Sequence, residues 1–280
     1  SQMLKFGMYG FLKNLRFFEP FLILFFLETG GLNLFQVGLL ISIREIIIYI
    51  VEIPSGVIAD SYGKKTQLAM CFLFYIVSFV IFFLGGFYPT FWIFIIAMAL
   101  YGFGEAFRSG THKAMIMQFL DEEDIEEPKS EVYGKTRSMS LFGSTIMSVI
   151  SVVLILLLKG EYHYLFLFAI LPYALDLLMI LTYPKYMNIK KESTFKFKNF
   201  LKENWQSIKY VFTKRKVRGF VLDASAFQAG FKSIKDYIQP LVVAASMGFI
   251  LFSGLTTDEN EKVYIGIIYA VIYIISAFAS

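Results

Sequence analysis

Six charged residues lie close to an opposite charge inside otherwise apolar runs: Arg16 with Glu19, Arg44 with Glu45, and Glu105 with Arg108. A charge at the middle of a membrane helix costs about 2.5–3.5 kcal/mol, so each pair needs a reason. One reason is proton chemistry. A carboxylate balanced between burial, which favours its neutral form, and a guanidinium, which favours its ionised form, can load and release a proton as its surroundings change. The other reason is structural, with the pairs tying helices together. Gln228, Lys232, Lys235 and Gln239 are spaced four, three and four apart, with Asp236 beside them. That spacing is one polar stripe on a helix, suited to a wet cavity. A positive charge at Lys232 favours anionic or zwitterionic cargo. The competing reading has Lys235 and Asp236 snorkelling to the interface and Lys232 paired with a carboxylate of another helix. Asp176 and Asp223 are single carboxylates, expected to face the interior.

The elements that must position these groups are long and apolar. The chain is 57% hydrophobic with 32 Phe, more apolar surface than a soluble domain of 280 residues hides. No period-two alternation suggests a barrel. The class is an all-α membrane protein. A spanning helix needs roughly 20 apolar residues, and eight segments qualify: about 8–29, 34–59, 67–87, 90–119, 137–158, 163–183, 219–243 and 263–280. Loops on one side, with Arg137 at their edge, hold 16 Lys and Arg, against Lys159 and Lys262 on the other. That asymmetry predicts a cytoplasmic N-terminus. The stretch 184–218 carries eleven of these basic residues, and Phe197, Leu201, Trp205, Ile208 and Phe212 recur in it at helical spacing. It reads as an amphipathic interfacial helix, or else as a solvated connector. The single Cys71 excludes an internal disulfide. His112 and His163 read as bystanders near loops.

Between spans two and three runs Gly56-Val57-Ile58-Ala59-Asp60-Ser61-Tyr62-Gly63-Lys64-Lys65. Gly63 suits a backbone of positive φ. Asp60 sits at a helix C-terminus, where a carboxylate opposes the dipole, so a partner is expected for it. Arg108 lies ~27 Å along span four from Thr90 at 1.5 Å per residue, near the same membrane face, and is the expected partner in a conformational latch.

Gly56, Asp60, Gly63, Lys64 and Lys65 resemble the signature loop between helices two and three of the major facilitator superfamily of secondary transporters. Lys64 stands where that family usually has Arg, and Ser61 where a basic residue is common. Gly102-Phe103-Gly104-Glu105-Ala106 resembles a second family motif, but Met98 replaces its Arg, and Gly143 lacks the Gly-Pro pair of many drug–proton antiporters. The resemblance implies a six-helix N-terminal bundle (1–183), a basic cytoplasmic linker (184–218) and a partial C-terminal bundle (219–280). A full member continues with about four more helices, so the chain is expected to be truncated after about eight.

The resemblance also implies alternating access around a central cavity faced by helices one, four and seven. Conformational roles fall to Gly56, Asp60, Gly63, Lys64, Lys65 and Arg108. Cavity or coupling roles fall to Arg16, Glu19, Arg44, Glu45, Glu105, Gln228, Lys232 and Asp236. The expected function is secondary active transport of a small solute, with proton-coupled efflux favoured by the look of Glu52-Ile53-Pro54-Ser55-Gly56. The alternative is a non-transporting sensor on the same scaffold. No enzyme, metal site, cofactor or nucleic-acid partner is expected. The expected setting is the plasma membrane of a prokaryote, as a monomer in contact with lipid.

Overall fold

Chain passing through hydrocarbon must satisfy its own amides, which leaves helices or a closed barrel. The computed structural model describes residues 2–125, 129–188, 209, 213–246 and 251–278, and all regular structure among them is helical. Helix α1 is Gln2–Leu12, followed by three short turns at Glu19–Phe21, Leu22–Leu24 and Phe25–Thr29. Then come α2 (Leu34–Tyr62), α3 (Lys64–Phe87), α4 (Phe91–Arg108), α5 (Thr111–Glu122), α6 (Lys129–Leu157) and α7 (His163–Leu181). A turn at Lys185–Asn188 precedes α8 (Arg215–Ser246) and α9 (Thr257–Phe278).

Among the described residues, five segments are long and apolar enough to cross a membrane: Leu34–Glu52, Lys64–Phe87, Phe91–Glu122, Ser130–Leu157 and His163–Leu181. The other three expected spans differ for separate reasons. Span one is not a continuous helix: Lys13–Phe18 breaks it, and the rest advances as a 3-10 turn at Glu19–Phe21, one α turn and a π turn at Phe25–Thr29. Helix α8 has the length, but Arg218, Asp223, Lys232, Lys235 and Asp236 interrupt its apolar run, while α9 carries its charges in its first two turns, ahead of an apolar stretch from Val263. Span four also divides, at Ser109-Gly110, where Gly110 takes φ +71° ahead of α5. Only glycine enters that left-handed backbone at little cost. The amphipathic helix expected around Phe197–Phe212 lies outside the described residues.

Polarity runs opposite to that of a water-soluble bundle. On α7, Leu171, Leu175 and Leu178 are exposed while Asp176 is fully buried. The interior is filled by rings, with Phe18 stacked on Phe166 at 4.5 Å and Phe82 on Phe166 at 4.7 Å. Helix α4 packs on α2 and α3, α3 on α7, α1 on α6 and α7, and α9 on α6. Small residues allow the closest approaches. A Cβ on Gly102 would meet the Arg44 carbonyl of α2 at 3.1 Å, and one on Gly104 would meet the Tyr75 ring of α3 at 2.9 Å. The Gly-x-Gly spacing thus seats α4 between two helices at once.

Candidate functional site

The break in the first span builds the site. Freed from a helix, Arg16 directs its guanidinium to two other helices, α4 and α7. It pairs with Glu105 of α4 at 2.8 Å and donates to the hydroxyls of Tyr101 at 2.5 Å and Tyr173 at 2.7 Å. Tyr173 in turn donates to the Lys13 carbonyl at 2.8 Å, which satisfies one backbone group exposed by the break. A second is met from α8: the Gln239 amide accepts from the Ile23 N–H at 2.8 Å and donates to the Glu19 carbonyl at 2.9 Å and the Tyr269 hydroxyl at 3.0 Å. Buried backbone groups must find partners, and one buried glutamine supplies two of them.

Glu105 is shared. Its second oxygen pairs with Arg108 at 2.6 Å, and Arg108 also donates to the Tyr75 hydroxyl at 3.2 Å. One carboxylate between two guanidiniums is a strong, directional arrangement. Two expectations change here. Arg16 and Glu19 do not share a helix face, because the chain is not helical at Arg16; Arg16 turns to Glu105, and the Glu19 side chain faces the Tyr273 hydroxyl. The Asp60–Arg108 latch is not made in this conformation. Glu105, one helical turn away on the same helix, holds Arg108, and half-buried Asp60 is not among its partners.

Arg16, Glu19, Arg44, Glu45 and Glu105 nevertheless line one cavity of ≈ 170 Å³, with Gln239 of α8 on its wall. Arg44 is itself buried and pairs with Glu45 at 2.8 Å. The side chains of Gln228, Lys232 and Asp236 lie outside the described residues, although their backbone belongs to α8. Asp176 is interior, with neither carboxylate oxygen hydrogen-bonded among the described residues. Asp223, expected inside, is exposed. His112 is no loop bystander: its ring stacks on Tyr9 at 3.6 Å. Sequence spacing could not single out Gln239 from the rest of its stripe, since the signal for its role is a break in a different helix.

The signature loop is clamped from outside. Gly63 adopts φ +94°, the positive φ expected of it, and a side chain there would strike Asn188. Asn188 accepts from the Thr66 N–H at 3.1 Å, Lys65 donates to the Tyr183 carbonyl at 2.8 Å, and Lys64 donates to Gln118 at 3.1 Å. A single lysine donor to a neutral amide stands where a guanidinium fork could make two bonds. Gly56 has open space beside it. Just above the loop, the hydroxyl of Ser109 donates to Glu52, and that of Ser55 to the Ala106 carbonyl at 3.1 Å. The second half of α2 is thereby tied to the α4–α5 hinge.

With this geometry in hand, similarity to known proteins is informative. A curated protein of Bacillus subtilis (strain 168), described as the uncharacterized MFS-type transporter YxaM, is 25% identical over 244 residues, covering 83% of this chain and 55% of that protein. The fold is similar to the crystal structure of a D-xylose–proton symporter, with TM-score 0.61, 15% identity and coverage of 97% of this chain and 66% of the other. It is also similar to a POT family transporter crystallised with a thioalcohol-conjugated peptide, with TM-score 0.54, 15% identity and coverage of 88% and 50%. The chain therefore spans about half to two thirds of the length of these relatives. The family described as Major Facilitator Superfamily matches residues 8–280, nearly the whole chain. The chain belongs to the Major Facilitator Superfamily, a family of multi-pass membrane transporters and not of enzymes.

Proposed function

We propose that this protein moves a small solute across the membrane by alternating access, with the cavity walled by Arg16, Arg44, Glu45 and Glu105 on the path. The observation that carries the reading is the sharing of Glu105 between Arg16 and Arg108. It couples the broken first span to α4 through a carboxylate that can exchange a guanidinium for a proton when the helices move. Proton coupling follows from that chemistry, and efflux is the favoured direction from the Glu52–Gly56 segment. Lys232 and Asp236 of α8 are proposed to complete the cavity from the facing side.

The same reading takes 1–183 as one bundle, 184–218 as a basic linker and 219–280 as part of a second. Lys5 donates to Thr182, next to the Lys65–Tyr183 contact, so the N-terminus, the signature loop and the end of α7 share a face. Lysines on that face favour the cytoplasm, in the plasma membrane of a prokaryote. The working unit is a monomer in lipid. Asp60 and Arg108 are proposed to meet in another conformation of the cycle.

Reconstitution of the full-length protein into proteoliposomes tests the function. Saturable, gradient-driven solute flux that Glu105→Gln uncouples from protons is the expected result. Tight solute binding without flux would instead establish the sensor alternative.

A further inference from the structure

Beside the Arg16–Glu105–Arg108 wall lies a second cavity of ≈ 290 Å³, lined by α1 and the turn after it, Arg108 at the end of α4, the start of α5, the first half of α6 and Tyr273 of α9. Its titratable lining is basic or aromatic: Lys13, Arg108, His112, Lys113 and Arg137 contribute, and no carboxylate does. Arg108 is engaged by Glu105. Lys13 and Lys113 meet only ring faces, at 5.6 Å from the Tyr9 centroid and 4.9 Å from that of Tyr133. Neither lysine nor Arg137 has an ion-pair partner among the described residues. The carboxylates that act on Lys13, Glu105 and Asp176, lie outside the cavity lining.

Lys113 and Arg137, without an ion-pair partner among the described residues, join Arg108 and Lys13 around one concavity, and this clustering of basic groups focuses positive potential in it and draws anions. The opening turn of α5, a twelve-residue helix, adds the positive end of a helix dipole through Gly110, His112 and Lys113. A single negative charge leaves most of that field unmatched, whereas an oxyanion of charge two or more matches it with charge-assisted hydrogen bonds. We propose that this cavity is a binding site for a multiply charged oxyanion, a phosphate group or a polycarboxylate, separate from the central cavity. The site stands or falls independently of transport through the central cavity. A phosphate reaches it either as a soluble anion or as the headgroup of an anionic lipid.

Binding of inorganic phosphate and of citrate to the full chain, held in nanodiscs of neutral phosphatidylcholine, is measured by calorimetry. The same titration in discs containing phosphatidylglycerol reports competition from headgroups. Lys113 and Arg137 are exposed, so K113Q/R137Q is the variant expected to disturb the fold least, and K13Q adds the half-buried member. Phosphate or citrate binding in neutral discs, weakened tenfold or more by K113Q/R137Q while acetate binds poorly, supports a soluble-anion site. Binding masked by phosphatidylglycerol in the wild type but not in the variant supports the headgroup as occupant. No binding of phosphate or citrate to the wild type in neutral discs, or equal binding by the variants, overturns the proposal.

Discussion

Two cavities share a wall yet hold opposite charge balances. The central one sets Arg16 and Arg44 against Glu19, Glu45 and Glu105, while the other gathers Lys13, Arg108, His112, Lys113 and Arg137 without a carboxylate. A cavity lined by both signs can rearrange its pairs at little net cost, which suits a group that must exchange partners during a cycle. An unbalanced one is incomplete until an anion arrives. The difference turns on Glu105, the carboxylate that joins Arg16 to Arg108 on the wall between them, and on the broken first span that lets Arg16 reach it.

The sharpest way to break this contrast is to remove the shared carboxylate. Glu105→Ala leaves two part-buried guanidiniums without their common partner and should cost up to about 3–5 kcal/mol, the loss for a fully buried pair, read as a large fall in thermal unfolding temperature in detergent; an unchanged temperature would mean that the wall is not held by this residue. Next in size is Gln239→Leu, which orphans the Ile23 N–H and the Glu19 carbonyl. An expected loss of about 1–3 kcal/mol, with faster amide exchange at Ile23, checks that the break depends on α8. Gly104→Ala forces a methyl against the Tyr75 ring and should cost about 1–3 kcal/mol. Gly56→Ala, with open space beside it, serves as the mild counterpart, and equal losses at both sites would count against the close α3–α4 approach.

Asp176→Asn tests a buried acid outside both cavities. Its oxygens have no hydrogen-bond donor among the described residues, so the amide should leave the unfolding temperature unchanged or higher; a marked fall would reveal a partner for the carboxylate. The smallest effect belongs to the surface. Hydrogen bonds from the Thr256 backbone and hydroxyl hold the exposed Glu259 carboxyl below the usual range. Its folded pKa is depressed, so its contribution is present above about pH 4.3 and is lost as pH falls through the folded value. Amide exchange in the first turn of α9 should quicken over that acid window, and Glu259→Gln should abolish the pH dependence.

Much of this was legible in the sequence, and the parts that were not have a common cause. Apolar run length located α3 and α7 closely, because hydrocarbon imposes length directly, whereas α6 begins at Lys129, about two polar turns before the expected 137. Gly63 announced its positive φ because few other residues tolerate one. Of the charged residues expected inside helices one, two and four, Arg16, Glu19, Arg44, Glu45 and Glu105 line one cavity, as the cost of scattered buried charge suggests, while Arg108 lines the other. What spacing could not reveal was which partner each charge chose. Arg16 and Glu19 look like a helical pair, yet a helix break sends Arg16 to Glu105. Arg108 looks free to reach Asp60, yet Glu105 lies one turn away on its own helix. The second cavity was invisible for the same reason, since Lys13, Lys113 and Arg137 belong to three separated segments joined only by packing.

The account rests most directly on the ion pair that bridges the broken span and α4. A double-mutant cycle with Arg16→Gln and Glu105→Gln, followed by unfolding of the membrane-reconstituted chain, isolates that pair. A coupling of about 1–3 kcal/mol is predicted. Single-variant losses that add to within about 0.3–0.5 kcal/mol would contradict it, because the two side chains would then not share the wall between the cavities.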